Sequence, residues 1–381
     1  MTVSATGAVP SRPVTLLGPL AQGLWLLLVA AVLLVPSADW VWGIDPSAPP
    51  QENRKLAPEP GSPATVDEWI DWPAKVEAWF KDYFGLRNSL IAWHSALMLD
   101  YLGVSPNKDV LIGKNGWLFL GANKNIDAFR CLAPYSAADL QIQVAEATRR
   151  QRWLAKRNIR YGHVWVPVKA NLYPEFLPDG LTKLDQPCRL QQWTAAVGKA
   201  GVPVLDLTDA LKTAKAQDPF EIYYRTDTHW NPRGAWHGYR AMVPWLQKLL
   251  PGLRTLREDQ VRFLQRSDRG GDLARMLDLQ ERYRGTDPFL ELLPSEAQEV
   301  ATTAKADKGV NLHTYSCPNC GKQRAVLLHD SFGNHLRPYL AATFSHLVTA
   351  EFAGFDEALL TAEKPDIVLE VHLERQLTPD R

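Results

Sequence analysis

The chain has 381 residues, with 42 Lys and Arg balancing 42 Asp and Glu and no like-charge block long enough to line a nucleic-acid groove. Nucleic acid is thereby excluded as an expected partner. The 14 tryptophans are many for this length, yet most Trp packs in cores or at membrane interfaces, so the count alone assigns no ligand.

The first predicted element runs from Val14 to Pro36, a stretch without charge and almost entirely apolar. A bilayer core needs roughly 20 apolar residues in a helix, so this segment is predicted to be a transmembrane anchor. Arg12 precedes it and Asp39 and Asp45 follow, which places the N-terminus in the cytoplasm and the remaining mass outside. A cleaved signal peptide is the competing reading; the apolar stretch is long for one, and Pro36-Ser37-Ala38 is an imperfect cleavage site. Trp40 and Trp42 fit an interfacial belt just beyond the span. The Pro, Ser and Gly-rich residues that follow cannot bury a core and read as an extended tether. The organisation expected is a cytoplasmic tail at 1–13, an anchor at 14–36, a tether at 37–64 and one folded domain at 65–381.

Within that domain, Val66 to Leu102 reads as helix interrupted at Phe84-Gly85, Gly116 to Leu120 as a short strand, and Ala138 to Arg157 as an amphipathic helix. Strands are predicted at Tyr161 to Val168, Val202 to Leu207, Ala325 to His329, His346 to Ala350 and Asp366 to Val371. Several of these are apolar runs suited to a parallel sheet buried on both faces. Helical patterns fall between most of them, at Leu190 to Ala200, Gly234 to Leu250, Asn334 to Thr343 and Phe355 to Glu363. The alternation predicts an α/β fold, a mostly parallel sheet flanked by helices. Leu253 to Lys322 reads as an irregular excursion carrying loops over the site.

Cys131, Cys188, Cys317 and Cys320 are a sparse, even set, compatible with one or two disulfides in an oxidising space. Cys317-Pro318-Asn319-Cys320 is also half of a zinc knuckle, but a second such pair is missing, so a disulfide-closed turn is preferred and no metal is expected.

Two motifs carry chemistry. Asp227-Thr228-His229-Trp230 supplies a carboxylate and an imidazole, and His329-Asp330-Ser331-Phe332-Gly333 supplies a hydroxyl at the end of an apolar strand. Together they hold the parts of an activated serine. If 227–229 is extended, residues 227 and 229 project to the same side, so Asp227 can hold Nδ1 of His229 and leave Nε2 free as a base. The structural alternative is a helix start with Asn231 as N-cap and Pro232 at the first helical position, and the two readings are compatible. Ser331 sits at the carboxyl edge of a predicted sheet, where ligands bind and where helix-start N–H groups can serve as oxyanion donors; the alternative is again a cap by Asp330 or Ser331.

In this order the motifs resemble the alginate O-acetyltransferases of the AlgJ and AlgX type, whose domain is SGNH-hydrolase-like with permuted motif order. The resemblance runs through Glu52 to Pro58, Asp82 to Arg87, Gly116 to Phe119, Pro167 to Lys169 with Tyr173 to Glu175, Tyr224 to Trp230, Gly271 to Leu273, His329 to Phe332 and Lys364 to Asp366. It implies that Ser331 takes an acetyl group, with His229 as base and Asp227 stabilising the imidazolium. It further implies a polysaccharide acceptor, a multi-pass membrane O-acyltransferase as acetyl donor, no cofactor, and a single-pass inner-membrane protein with its domain in the periplasm. Only 50 residues follow Ser331, so the extra carbohydrate-binding module of some members is not expected. Lys169, Tyr173, Arg225 and Trp230 are candidates for substrate binding and Gly271, with Ser331, for oxyanion donation. A carbohydrate acetylesterase using the same triad, and a non-catalytic glycan-binding assembly subunit, are the competing functions; the intact Asp, His and Ser argue against the second.

Overall fold

The computed structural model describes residues 19–43, 55–122, 124–292, 296–305 and 310–377. The expected cytoplasmic tail, the start of the expected anchor at 14–18, the tether residues 44–54 and the Trp40 side chain lie outside the described residues. The chain divides into two compact units, one ending at His94 and one beginning at Ser95, taken here in turn.

The first unit opens with α1 (Pro19–Trp42), which continues through Pro36 beyond the expected end of the apolar span. Among the described residues it is the one helix long and apolar enough to cross a membrane. α2 (Val66–Tyr83) starts at a capping box: Thr65 Oγ1 accepts the Glu68 N–H at 3.3 Å while Glu68 reaches back to the Thr65 N–H. The helix breaks at Phe84, as expected from Phe84-Gly85, and α3 (Arg87–Tyr101) follows.

The second unit takes in the last turns of α3 from Ser95, a small antiparallel pair, β1 (Val110–Ile112) and β2 (Leu118–Leu120), then α4 (Asn125–Arg130) and α5 (Ala137–Ala155). Next come β3 (Arg160–Val166), α6 (Lys169–Leu172), α7 (Arg189–Lys199), β4 (Val204–Asp206), α8 (Thr208–Gln217) and α9 (Pro232–Leu249). An antiparallel hairpin, β5 (Val261–Asp268) and β6 (Gly285–Leu292), brackets α10 (Asp272–Met276). The chain closes with β7 (Gln298–Lys305), β8 (Val310–Ser316), β9 (Arg324–His329), α11 (Gly333–Ala341), β10 (His346–Glu351), α12 (Glu357–Glu363) and β11 (Ile367–Leu373).

Seven strands form the main sheet in the order β4-β3-β11-β9-β10-β8-β7. The first five run parallel, and β8 and β7 add antiparallel at one edge. Alternate residues feed two cores, as a period of two requires. Val164, Val166, Leu327, Leu369 and Val371 pack with α9 and α11 on one face. Tyr161, Trp165, Val326, Leu328 and Val368 pack with residues of α5 and α7 on the other. The expected mostly parallel α/β sheet is found, but the expectation for 253–322 is corrected. Instead of an irregular excursion, the described residues of that stretch contain four strands. These are antiparallel and largely half-exposed, with burial alternating at the start of β5; they lack the continuous apolar runs that mark doubly buried strands.

Both disulfides form, Cys131–Cys188 and Cys317–Cys320, so Cys317 and Cys320 offer no free thiol to a metal. The first joins the end of α4 to the start of α7 across a sequence separation of 57. Chain-entropy arguments assign such a loop about 4 kcal/mol, of which roughly 2–4 is commonly realised. Replacing Cys131 and Cys188 together by Ser is expected to lower unfolding stability by that amount, read from denaturant midpoints of the full chain in detergent; an unchanged midpoint would show the crosslink to be energetically idle.

Candidate active site

The loop between Glu221 and Pro232 is held by a bridge between Tyr223 and Trp230 and by the Tyr224 N–H donating to His229 O at 3.2 Å. Residues 227–229 are therefore bent and not extended. The side chains still meet, through an Asx-type turn: Asp227 Oδ1 accepts the backbone N–H of His229 at 2.9 Å and lies 2.7 Å from its ring Nδ1. One oxygen thus fixes both the backbone and the imidazole. Asn231 caps α9, with Pro232 at its first position, so the helix-start reading holds alongside.

On the far side of the ring, His229 Nε2 lies 2.8 Å from Ser331 Oγ. Ser331 stands between β9 and α11, in a turn braced by Asp330. Asp330 Oδ1 accepts the Phe332 N–H at 3.0 Å, and Oδ2 accepts the Leu373 N–H of β11 at 2.8 Å. Gly333 permits the sharp turn, because a Cβ there would sit 2.4 Å from the His329 ring. Phe332 packs on the His229 ring with centroids 4.8 Å apart, and Trp230 Nε1 donates to the Phe332 carbonyl at 3.0 Å, locking the two motifs together.

A second carboxylate joins them. Asp272, at the start of α10, accepts the Thr228 N–H at 2.8 Å, donates its own N–H to Asp227 Oδ2 at 3.0 Å, and places Oδ2 3.9 Å from His229 Nδ1. Burial opposes ionisation of Asp227, but the hydrogen bond and charge of His229 outweigh it and hold Asp227 well below the usual carboxylate range. Burial likewise disfavours the imidazolium of His229, yet Asp227, and then Asp272, raise its pKa above the ordinary 6.5. Asp272 itself is raised, by burial first and the Asp227 charge second. The set can accept a proton from Ser331 and stabilise the imidazolium that results. Asp227, His229 and Asp272 also present ligand atoms within 4.8 Å of one another, but Nδ1 of His229 is already engaged by Asp227.

Of the candidates for substrate binding, only Arg225 is exposed; it pairs with Glu221 and lines a cleft of about 420 Å³ together with Tyr224, Thr226, Arg269 and Arg284. The expectation for the other three is corrected. Lys169 is 5% exposed, and its Nζ donates to the carbonyls of Tyr224, Arg225 and Asp227 at 3.0, 3.0 and 2.9 Å. It pins the loop that carries Asp227. Burial pushes Lys169 down to about 7 against the charges of Asp227 and Asp272, while three carbonyl acceptors, one per ammonium proton, favour the charged form. Tyr173 is buried and its hydroxyl accepts the Ile222 N–H at 3.0 Å. Trp230 is wholly buried beneath the turn.

Gly271 is corrected as an oxyanion donor, because its N–H is spent on Thr226 Oγ1 at 3.0 Å. It is glycine because a Cβ would come within 2.4 Å of Asp227 Cβ. The lone histidines near the motifs are structural: His237 pairs with Asp218 at 2.8 Å, and His329 Nδ1 faces the Asp330 carbonyl at 2.6 Å. Burial pushes His335 down to about 4. Sequence reasoning missed Asp272, whose only signal was its place in the Gly271-Asp272-Leu273 block.

Residues 110–316 match the family described as SGNH hydrolase-like domain, acetyltransferase AlgX. The probable alginate O-acetylase AlgJ of Pseudomonas aeruginosa is 29% identical over 269 residues, covering 68% of this chain and 60% of that protein. Its namesake from Azotobacter vinelandii is 34% identical over 133 residues, covering 33% of this chain and 30% of that protein. The matched stretches thus span less than two thirds of these relatives. Among solved structures, PatB1 of Bacillus cereus is similar in fold, with a TM-score of 0.52 at 17% identity over 71% of this chain and 98% of that one.

Two outcomes follow from the geometry. Lys169→Met strips donors from three buried carbonyls and is expected to cost roughly 3 kcal/mol of stability and to lower kcat more than it raises KM; a kcat equal to wild type would mean that the loop holds its shape without the lysine. The base must be unprotonated, so kcat/KM towards an activated acetyl ester should rise with pH through a value above 6.5. Asp272→Asn removes a charge that favours the imidazolium, so this limb should move to lower pH; an upward move would contradict the assignment.

Proposed function

The chain belongs to the AlgX family of SGNH hydrolase-like acetyltransferases, and from that premise we propose that it is an extracytoplasmic O-acetyltransferase acting on an acidic exopolysaccharide. The observation that carries the proposal is the continuous chain of contacts from Ser331 Oγ through His229 to Asp227, at 2.8 and 2.7 Å. In the first half-reaction, Ser331 Oγ bonds to the acetyl carbonyl carbon as the donor's acyl bond breaks. His229 takes the hydroxyl proton and delivers it to the leaving group. In the second, His229 takes a proton from a sugar hydroxyl, whose oxygen bonds to the acetyl carbon while the Ser331 ester breaks and regains its proton. The N–H of Ser331 is the proposed oxyanion donor, since the Gly271 N–H is already engaged. Asp272 holds Asp227 and Thr228 in place through both steps.

The arginine-bearing cleft is lined by Tyr224, Arg225 and Thr226, the residues that immediately precede Asp227. Five arginines line it (225, 233, 269, 282 and 284), paired with Glu221, Asp218, Glu281, Asp100 and again Glu281 in turn; a carboxylate-bearing polymer would bind by exchanging or sharing these partners. Relatives named probable alginate O-acetylases support a uronate polymer as acceptor. The apolar helix α1 supports an anchor in the inner membrane with the domain in the periplasm, where two disulfides are stable. A domain held at the membrane gains effective concentration towards a membrane-bound donor protein, which is the proposed source of acetyl groups.

The test is mass spectrometry of an oligouronate incubated with an activated acetyl ester and the full chain in detergent. Acetylated oligomer is expected with wild type and a fall of at least about 10³-fold with Ser331→Ala. Acetylation that persists in Ser331→Ala, or Ser331-dependent loss of acetyl groups from a pre-acetylated oligomer without transfer, would overturn the proposal; the latter result defines an esterase.

A further inference from the structure

Behind the nucleophile turn, on the face of the sheet packed by α5 and α7, lies a polar cavity of about 440 Å³ that the proposed reaction does not use. Its floor is built by two adjacent parallel strands. Glu370 and His372, two apart on β11, project to the same face, and His163 of β3 is the direct cross-strand partner of Glu370. This face elsewhere carries Tyr161, Trp165 and Val368; three ionisable side chains in the middle of it call for a reason.

The distances are informative. His163 Nδ1 lies 3.7 Å and His372 Nε2 3.8 Å from the same oxygen of Glu370, Oε2. Both are too long for a hydrogen bond. The three ligand atoms nevertheless cluster, all within 4.8 Å of one another, and the two N···O distances of 3.7 and 3.8 Å need shorten only modestly to reach the ~3.3 Å that separates ligands around a tetrahedral ion with bonds of about 2.0–2.1 Å. His163 is 5% exposed, and neither of its ring nitrogens has a hydrogen-bond partner. A buried imidazole in that state costs free energy unless something else meets it.

We propose that His163, Glu370 and His372 form a binding site for a divalent transition-metal ion of the zinc class, on the sheet face opposite the core that carries Trp230 and Phe332. Two imidazoles and one carboxylate are a zinc ligand set with room for a water in the fourth position. The supporting shell is present. Tyr161 donates its hydroxyl to Glu370 Oε1 at 2.8 Å, and Arg150 donates to both carboxylate oxygens at 2.9 and 2.8 Å, fixing the orientation of the carboxylate. Trp165 and Trp193 hold the His163 ring, at centroid distances of 4.5 and 4.8 Å. The Arg150 charge beside Glu370 opposes a cation and weakens its binding. Because His329 and Asp330 also line this cavity, the ion would stiffen the support beneath the Ser331 turn.

The test uses the full chain in detergent, stripped by chelator and titrated with Zn²⁺ by calorimetry, with thermal unfolding followed in parallel. One ion per chain is expected, raising Tm by at least about 4 °C at saturation. His372→Ala should weaken binding at least tenfold and abolish the thermal shift; should it fail to fold, His372→Gln, which keeps more of the side-chain volume, is scored by the same readouts. Absence of stoichiometric binding in wild type overturns the proposal and leaves water as the partner of His163. Binding unchanged in the His372 variant but lost in His229→Ala overturns it equally, by locating the ion at Asp227, His229 and Asp272.

Discussion

A single carboxylate oxygen, Oδ1 of Asp227, accepts from both the backbone and the ring of His229, and the rest of the site is arranged so that it can do so. The loop from Tyr224 to Trp230 is short, bent and rich in polar backbone, and such a loop keeps its shape only when its carbonyls and N–H groups are satisfied. Lys169 takes three of the carbonyls, the start of α10 takes that of Thr226, and the Asp272 carboxylate takes the Thr228 N–H. Gly271 then lets α10 approach close enough for Asp272 to reach Asp227. Positioning is distributed over three segments distant in sequence, whereas the proton path itself needs only Asp227, His229 and Ser331.

The parallel half of the sheet supplies the other side of this arrangement. β9 ends at the nucleophile turn, and β11 beside it offers the Leu373 N–H that Asp330 Oδ2 accepts. Ser331 is thus fixed by the carboxyl ends of two neighbouring strands, the edge at which open α/β sheets present their ligands. The antiparallel β8 and β7 extend the opposite end of the sheet.

The parallel strands and their helices were legible because each is a run of apolar residues or a helical stripe bounded by turn residues; the break at Phe84-Gly85 and the cap at Asn231-Pro232 were legible from chemistry alone. The strands between 261 and 316 were not, since half-exposed antiparallel strands alternate weakly, and β5 mixes Arg262, Arg266 and Asp268 among its apolar residues. At the site, the acid, base and hydroxyl were readable from two short motifs, but the geometry joining Asp227 to His229 was not: an Asx turn and a strand both bring i and i+2 together. Lys169 and Tyr173 stand just past a strand end and Trp230 stands beside His229, positions that suit substrate contact as well as loop support. Whether a polar side chain faces a ligand or pins a loop depends on tertiary packing, and sequence neighbourhood carries little of that information. Asp272 was invisible for the same reason, being brought to Asp227 only by the folded approach of α10.

The central claim is that Ser331 becomes covalently acetylated with His229 as its base. Peptide-level mass spectrometry after a rapid acid quench of the full chain with an activated acetyl ester tests this most directly. The account predicts one acetyl group on Ser331 in the wild type and none in His229→Ala. Acetylation of a different residue, or acetylation of the sugar with no acetyl-Ser331 at any quench time, would contradict it.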